Sequence, residues 1–172
     1  MNEEKMHEKL KGVLTCGPAP WDQLPDLGLY MDQVITYIER QFTPMRPGRS
    51  DRLLTSAMIN NYVKLQYLKA PVNKKYDRLT VACLFVIAIL KPIYTVEEIS
   101  HFIKLALKFE PGDKVFDRFC ETTEQAVSCA FNRTAMPKVR KEGDPRDLFW
   151  NICNSFACQL YVKKIYLQRI GE

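Results

Sequence analysis

The side chains best suited to chemistry in this sequence lie in its middle, where hydroxyl, amide and ammonium groups recur at helical spacing. Ser56, Asn60, Asn61 and Lys64 are separated by four, one and three residues, so they share one flank of a predicted helix. An asparagine amide can bridge N6 and N7 of adenine in the DNA major groove, and a lysine can reach guanine or a phosphate. Any solvated helix also carries such groups, so base contact and plain exposure both stay open for these four residues.

The segment around this helix is basic. Residues 46 to 78 hold eight Lys and Arg against two Asp, an excess of six positive charges, whereas the net charge of the whole chain is only +5. A basic excess confined to one segment is the electrostatic footprint of a surface that binds polyphosphate. Tyr62 and Tyr76 are expected to pack as aromatics whose hydroxyls are free to touch a phosphate. The candidate phosphate contacts are Arg46, Arg49, Arg52, Lys74, Lys75, Tyr76 and Arg78.

Catalytic and metal-binding patterns find little support. His7 falls in an N-terminal arm and His101 in a predicted helix, and neither belongs to a nucleophile or metal motif. The six cysteines are scattered through apolar helical patterns, which favours free thiols in the core over disulfides. Their spacing differs from the CxxC and Cys/His spacing of zinc sites, so thiol-based metal sensing is the less favoured hypothesis. We expect no enzymatic activity, no metal site and no cofactor.

Size and composition indicate a folded protein of the cytoplasm. With 172 residues, of which 47% are hydrophobic and 26% charged, the chain is able to bury a core. Residues 1–12 are rich in Glu and Lys and do not resemble a secretory leader. The longest apolar run covers residues 81–90, and a membrane span needs about 20 residues. We therefore expect no membrane association.

Caps, breakers and apolar periodicity predict an essentially all-α chain. Thr55 is a plausible N-cap of the helix with the polar flank, and Thr95 with Glu98 forms a capping box. The apolar flank of that helix holds Thr55, Met58, Ile59, Tyr62, Val63 and Leu65. The expected helices cover residues 27–42 (capped by Asp26), 55–67, 79–90, 95–109, 113–132 and 146–170, with a loop at 43–50 and a small wing at 70–76. The last helix is more apolar than a lone surface helix, so we expect it to pack on another chain or within a bundle.

The order of these parts resembles the MerR-like winged-helix proteins. The residues that carry this resemblance are Tyr62-Val63-Lys64, Leu68-Lys69-Ala70-Pro71, Lys74-Lys75-Tyr76, the apolar run 84–90 and Thr95-Val96-Glu97-Glu98-Ile99. More closely, residues 24 to 107 resemble the bacterial Domain of Unknown Function family 1836. The hallmarks of that family are similar to Leu29-Tyr30-Met31-Asp32-Gln33-Val34, Met58-Ile59-Asn60-Asn61-Tyr62-Val63-Lys64 and Lys74-Lys75-Tyr76. The chain departs from the MerR-like pattern in its longer loop at 43–52 and in a wing without glycine.

The resemblance implies a DNA-binding fold and no reaction. It implies a MerR-like winged helix-turn-helix domain with a minimal β-wing at residues 26–110. An N-terminal arm (1–25) precedes this domain, and a C-terminal helical region (111–172) for dimerisation or signal reception follows it. The expected function is a bacterial transcriptional regulator that binds double-stranded DNA as a homodimer. The alternative, from a different class, is a helical protein-interaction module that kept the fold without binding nucleic acid.

Overall fold

A computed structural model describes residues 19–42, 52–135 and 144–167 of the chain. Over these ranges the chain forms six α-helices, one turn of 3-10 helix at Trp21–Gln23 and one two-stranded antiparallel sheet. The helices are α1 (Met31–Phe42), α2 (Ser56–Lys64), α3 (Arg78–Leu90), α4 (Val96–Ala106), α5 (Gly112–Asn132) and α6 (Pro145–Ile165), and the strands are β1 (Leu29–Tyr30) and β2 (Lys75–Tyr76). The predicted predominance of helix is confirmed. No helix in the described ranges is both long and apolar enough to cross a membrane.

The chain divides into two compact units. Among the described residues, the N-terminal unit contains 19–41 and 52–117, and the C-terminal unit contains 42, 118–135 and 144–167. The division falls within α5. The polar flank of α2 and the basic wing segment both belong to the N-terminal unit, so the candidate interface is built by that unit. The domain boundaries expected from the sequence stay a prediction.

Two of the predicted helix starts are confirmed by hydrogen bonds. The Thr55 hydroxyl accepts the backbone N–H of Met58 at 3.2 Å, which caps α2. At the start of α4, the Thr95 hydroxyl accepts the N–H of Glu98 at 3.2 Å, and the Glu98 carboxylate accepts the N–H of Thr95 at 2.8 Å. Such caps join residues three apart in the sequence, so they form wherever the local residues allow them.

The first helix begins later than expected. The sequence predicts a helix over residues 27–42 with Asp26 as its cap, but α1 begins at Met31 because the two preceding residues form β1. This strand pairs with β2, which lies far along the chain. The side chain of Gln33 accepts the N–H of Tyr30 at 2.9 Å and so satisfies one backbone donor at the start of the helix.

The helix α2 ends before the predicted position 67. Gln66 has φ of 58°, in the left-handed region, and this conformation turns the chain out of the helix. The N–H of Tyr67 donates to the carbonyl of Tyr62 at 2.9 Å, and the N–H of Gln66 donates to the carbonyl of Val63 at 3.0 Å. This is the Schellman pattern of helix termination. Leu65, predicted on the apolar flank, is 49% exposed because it lies beyond the last helical residue.

The basic segment predicted as a small wing forms a tight two-residue turn. Val72 and Lys75 exchange both backbone hydrogen bonds, at 3.0 and 2.9 Å. Between them, Asn73 and Lys74 have φ of 49° and 63°. Two successive positive φ values characterise the type I′ turn, in which the second position favours glycine. Lys74 therefore holds a conformation that costs an ordinary L-residue about 1–2 kcal/mol.

The apolar run predicted as a buried helix is α3, the centre of the N-terminal unit. Asp77 caps it by accepting the N–H of Thr80 at 2.8 Å, and most positions after its second residue are buried. Phe85 makes edge-to-face contacts with Tyr37 of α1, at 5.9 Å between ring centres, and with Phe116 of α5, at 6.2 Å. Such aromatic pairs add to the free energy of burial, so α3 ties α1 and the start of α5 into one core.

The segment before β1 packs on the same core. The Trp21 ring lies 6.3 Å from that of Phe116, and the backbone N–H of Trp21 donates to the carboxylate of Asp117 at 2.7 Å. Leu24 is buried, whereas Leu27 is 76% exposed. The N-terminal arm is thus anchored through Trp21 and Leu24, whereas Leu27 does not contribute to this packing.

In the C-terminal unit, α5 and α6 run in the same direction. The Thr123 hydroxyl lies 3.3 Å from the sulfur of Cys153, and the rings of Phe131 and Tyr161 are 5.3 Å apart. Both pairs link residues thirty apart in the sequence, which requires parallel helices.

The five cysteines in the described ranges are free thiols, as predicted: Cys83, Cys120, Cys129, Cys153 and Cys158. Cys16 lies outside those ranges. Burial raises the pKa of the Cys83 and Cys153 thiols to about 12, so both stay protonated and unreactive at neutral pH. Of the five described thiols, only Cys120 and Cys153 are buried; Cys83 and Cys129 are partly accessible and Cys158 is exposed, so the expectation of core thiols holds for part of the set.

Candidate nucleic-acid interface

The polar flank of α2 faces solvent, and its apolar flank is packed. Ile59 and Tyr62 are buried, and they point to the opposite side of the helix from the predicted base contacts. The four side chains predicted to contact bases are all exposed: Ser56, Asn60, Asn61 and Lys64. The structure therefore brings these four residues together on one accessible helical surface.

Contacts at its N-terminal end hold α2 in place. Leu54 is completely buried just before the helix starts. The ammonium group of Lys91, at the end of α3, donates to the backbone carbonyl of Leu53 and lies 3.9 Å from the sulfur of Met58. A charged hydrogen bond to a half-buried carbonyl is stronger than a neutral one. The first turn of α2 is thus fixed to α3 from the side opposite its polar flank.

The tight turn presents two lysines beside a tyrosine. Lys74 and Lys75 are both exposed, and the ammonium group of Lys75 lies 5.3 Å from the ring centre of Tyr30. The pairing of Tyr30 with Lys75 across the sheet produces this contact. A Cβ on Gly28 would lie 3.0 Å from the Cβ of Lys75, so glycine permits the close approach of the two strands. Sequence reasoning missed Tyr30, because the helical pattern placed it inside α1.

Two basic side chains of the segment are engaged with the protein itself. The guanidinium of Arg78 donates to the carbonyl of Pro25 at 3.4 Å and lies 5.7 Å from the ring centre of Trp21. The ammonium of Lys69 forms an exposed ion pair with Asp77 at 3.2 Å. The Lys69–Asp77 ion pair offsets part of the local positive charge. Arg78 fastens the N-terminal arm and is therefore not part of the surface that we propose below.

The remaining candidate phosphate contacts differ in their exposure to solvent. Arg52 is exposed, whereas Tyr76 is only 2% exposed and has no surface to offer to a phosphate. Burial raises the pKa of both the Tyr76 and the Tyr62 phenols, as expected for packed aromatics. We leave Tyr76 out of the proposed interface. Arg46 and Arg49 lie outside the described residues.

Asp77 stays ionised at the edge of this surface. Partial burial raises its pKa, but hydrogen bonds from Thr80 and from Lys69 lower it further, and the net pKa lies below the ordinary value of 3.8. The described ranges contain no group of three or more His, Cys, Asp or Glu side chains placed to hold a metal ion. His101 is an exposed residue of α4. The accessible candidate residues thus offer a hydroxyl and amides on α2, ammonium groups on α2 and the tight turn, the guanidinium of Arg52 and the ring of Tyr30.

Comparison with known proteins identifies a family. The model of the family described as Domain of unknown function (DUF1836) matches residues 19–119, which is more than half of the 172 residues. The match includes α2, the tight turn and α3. No curated protein and no solved structure matches the chain. The chain therefore belongs to the family described as Domain of unknown function (DUF1836).

Proposed function

We propose that this protein is a cytoplasmic DNA-binding transcriptional regulator of bacteria with a MerR-like winged helix-turn-helix domain. In this proposal α1 and α2 are the helix pair, α2 enters the major groove, and the tight turn lies against the phosphate backbone. The observation that carries it is the polar flank of α2, which is exposed, whereas Ile59 and Tyr62 on the other side of the helix are buried. The protein acts by binding alone and catalyses no reaction.

Exposed cations supply the non-specific part of the proposed affinity. Lys64, Lys74, Lys75 and Arg52 are exposed, and none of them forms an ion pair with another described residue. Each phosphate neutralised by such a group releases condensed counterions, so the affinity falls as salt rises. The Lys74 and Lys75 contacts together correspond to a slope of about −1.8 in the plot of log affinity against log salt concentration.

Titration of purified protein into a labelled mixed-sequence duplex at several salt concentrations tests the proposal. We expect binding that weakens steeply with salt. The double variant Lys74→Ala/Lys75→Ala should bind more weakly, and its salt slope should be shallower by about 1.8, because two phosphate contacts are lost.

The matched control is Lys104→Ala/Lys108→Ala, which removes the same charge from two exposed lysines, one in the last turn of α4 and one just after it. This control should change the salt slope by much less than the turn variant does. Absence of duplex binding at low salt would refute the proposed function. Equal effects of the two double variants would show that the turn is not the phosphate contact.

We propose that the regulator acts as a homodimer through its C-terminal region. A dimer would recognise two half-sites about one turn of DNA apart. Val162, in the last turn of α6, and Tyr166 and Leu167, just after it, are exposed apolar side chains, and such side chains suit an interface. Sedimentation of Val162→Glu beside the unmodified chain tests this part: the variant should be monomeric at a concentration where the unmodified chain is dimeric.

The same apolar residues favour a second candidate, a protein-interaction module whose basic turn meets an acidic partner. The two candidates differ in what accompanies the protein from the cell. A DNA-binding protein should purify with a raised ratio of absorbance at 260 to that at 280 nm and should shift a duplex on a gel in a salt-dependent way. An interaction module should do neither.

A further inference from the structure

The exposed surface of α2 has a composition that distinguishes between base pairs. At about 100° per residue, Ala57, Asn60, Asn61 and Lys64 fall within an arc of about 100°. All four are exposed, and within the described ranges neither asparagine amide hydrogen-bonds to another residue. The surface therefore offers one methyl group, two free amides and one ammonium to whatever lies against it.

An amide group matches adenine better than guanine. Adenine presents a donor at N6 and an acceptor at N7 in the major groove, and the adjacent oxygen and nitrogen of an asparagine pair with both. Guanine presents two acceptors, which suit the two donors of an arginine. The helix α2 contains no arginine, and its single lysine, Lys64, is the last helical residue. The helix therefore has few donors suited to the two acceptors of guanine.

The N-terminal end of the helix is narrow. Ser56 and Ala57 have the smallest side chains of the exposed surface, so this end is able to approach the floor of a groove closely. The methyl group of Ala57 suits an apolar contact with the C5-methyl of thymine, which the major groove also exposes. Thymine accompanies adenine in every A·T pair, so Ala57 and the two amides favour the same base pairs.

The elements beneath this surface keep its orientation constant. Leu54, Ile59 and Tyr62 are buried, and the Schellman turn at Gln66 ends the helix at a defined place. Recognition then requires the ordering of a few short side chains and not of the helix itself, which lowers the entropic cost of binding. From Ala57 to Lys64 the helix rises about 10 Å, which corresponds to about three base pairs.

We infer that α2 recognises adjacent A·T base pairs in the major groove, with Asn60 and Asn61 on adenine and Ala57 against a thymine methyl group. This inference rests on the proposed function and adds the class of DNA duplex that the protein prefers. Each bidentate amide contact contributes about 1–3 kcal/mol of discrimination, which is about 5- to 140-fold in affinity.

Two pools of duplexes of equal length, one of random A·T pairs and one of random G·C pairs, test the inference at a single salt concentration. We expect the full chain to bind the A·T pool at least about fivefold more tightly. A third pool, in which 7-deazaadenine replaces adenine, lacks the N7 acceptor but keeps base pairing and the minor groove. Its affinity should fall by at least about fivefold, towards that of the G·C pool.

The variant Asn60→Ala/Asn61→Ala should bind the A·T and 7-deazaadenine pools alike, because neither amide remains to contact N7, and its preference for both over the G·C pool should shrink to the contribution of Ala57. Alanine favours helix more than asparagine does, so this variant should keep its fold. The matched control, Gln125→Ala, removes an exposed amide from α5 and should keep the preference for the A·T pool.

Three results would overturn the inference: equal binding of the A·T and G·C pools by the unmodified chain, equal binding of the A·T and 7-deazaadenine pools by the unmodified chain, or a loss of affinity on 7-deazaadenine substitution that persists in Asn60→Ala/Asn61→Ala. In each case salt-dependent duplex binding would still stand, and with it the proposed function. Absence of binding to any pool at low salt would remove both.

Discussion

Gln66 ends α2, and its replacement by glycine should stabilise the protein. Its φ of 58° lies in the left-handed region, where the Cβ of an L-residue crowds the following carbonyl oxygen. Glycine has no Cβ and is the usual residue at this position of a Schellman turn. The side chain of Gln66 is exposed, so its removal leaves no cavity.

The expected gain follows from two opposing terms. The left-handed conformation costs an L-residue about 1–2 kcal/mol, and glycine avoids this cost. Glycine in turn loses about 0.5–1 kcal/mol more backbone entropy on folding. Taken at the middle of each range, the free energy of unfolding of Gln66→Gly should therefore exceed that of the unmodified protein by about 0.75 kcal/mol. For a chain of this size, each kcal/mol moves Tm by about 2–4 °C, so Tm should rise by about 1–4 °C.

Thermal unfolding followed by circular dichroism measures this shift, and Gln125→Gly is its matched control. Gln125 is also exposed but lies within α5, where glycine costs about 1 kcal/mol relative to a good helix former. The same replacement of glutamine by glycine should thus stabilise the protein at position 66 and destabilise it at position 125. A Tm of Gln66→Gly at or below that of the unmodified protein would refute the assignment of the Schellman turn.

Three further changes have defined outcomes. Lys74→Gly should raise Tm by a similar amount, because glycine suits the second position of a type I′ turn, yet it should weaken duplex binding because one cation is lost. Ser100→Ala should raise the free energy of unfolding in urea by about 1 kcal/mol, since the Ser100 hydroxyl is buried without a hydrogen-bond partner in the described part of the chain. Asparagine at position 77 can still cap α3, but Asp77→Asn removes a carboxylate whose pKa is lowered in the folded protein. The stability of this variant should therefore fall less than that of the unmodified protein as pH drops below about 4. A Ser100→Ala variant of lower stability, or identical acid dependence with and without the Asp77 carboxylate, would contradict these two expectations.

Features that depend on neighbouring residues were predictable from the sequence. The cap at Thr55 and the capping box of Thr95 and Glu98 join residues three apart, and both formed as expected. The apolar run 79–90 was expected as a buried helix because of its composition, and it is α3. The exposed flank of α2 follows from a helical period of 3.6 residues and from an apolar flank that must be buried. In all these cases the interacting residues are close together in the sequence.

Prediction from the sequence failed where long-range contacts compete with local conformational preference. Residues 27–30 fit a helical pattern, yet Tyr30 pairs with Lys75 in the sheet, and that partner is 45 residues away. The end of α2 carries no glycine, so nothing in the local sequence indicated the left-handed turn at Gln66.

The chemistry of each charged side chain was decided by tertiary structure. The sequence by itself determined the helical class, the helix caps, the basic excess and the amides of α2. It did not determine that Arg78 would contact Trp21, that Tyr76 would be buried, or that Tyr30 would lie under Lys75. A helix cap joins groups within one turn, and apolar periodicity depends on side chains three and four residues apart. The partner of a long side chain, in contrast, depends on which distant segment the fold places beside it.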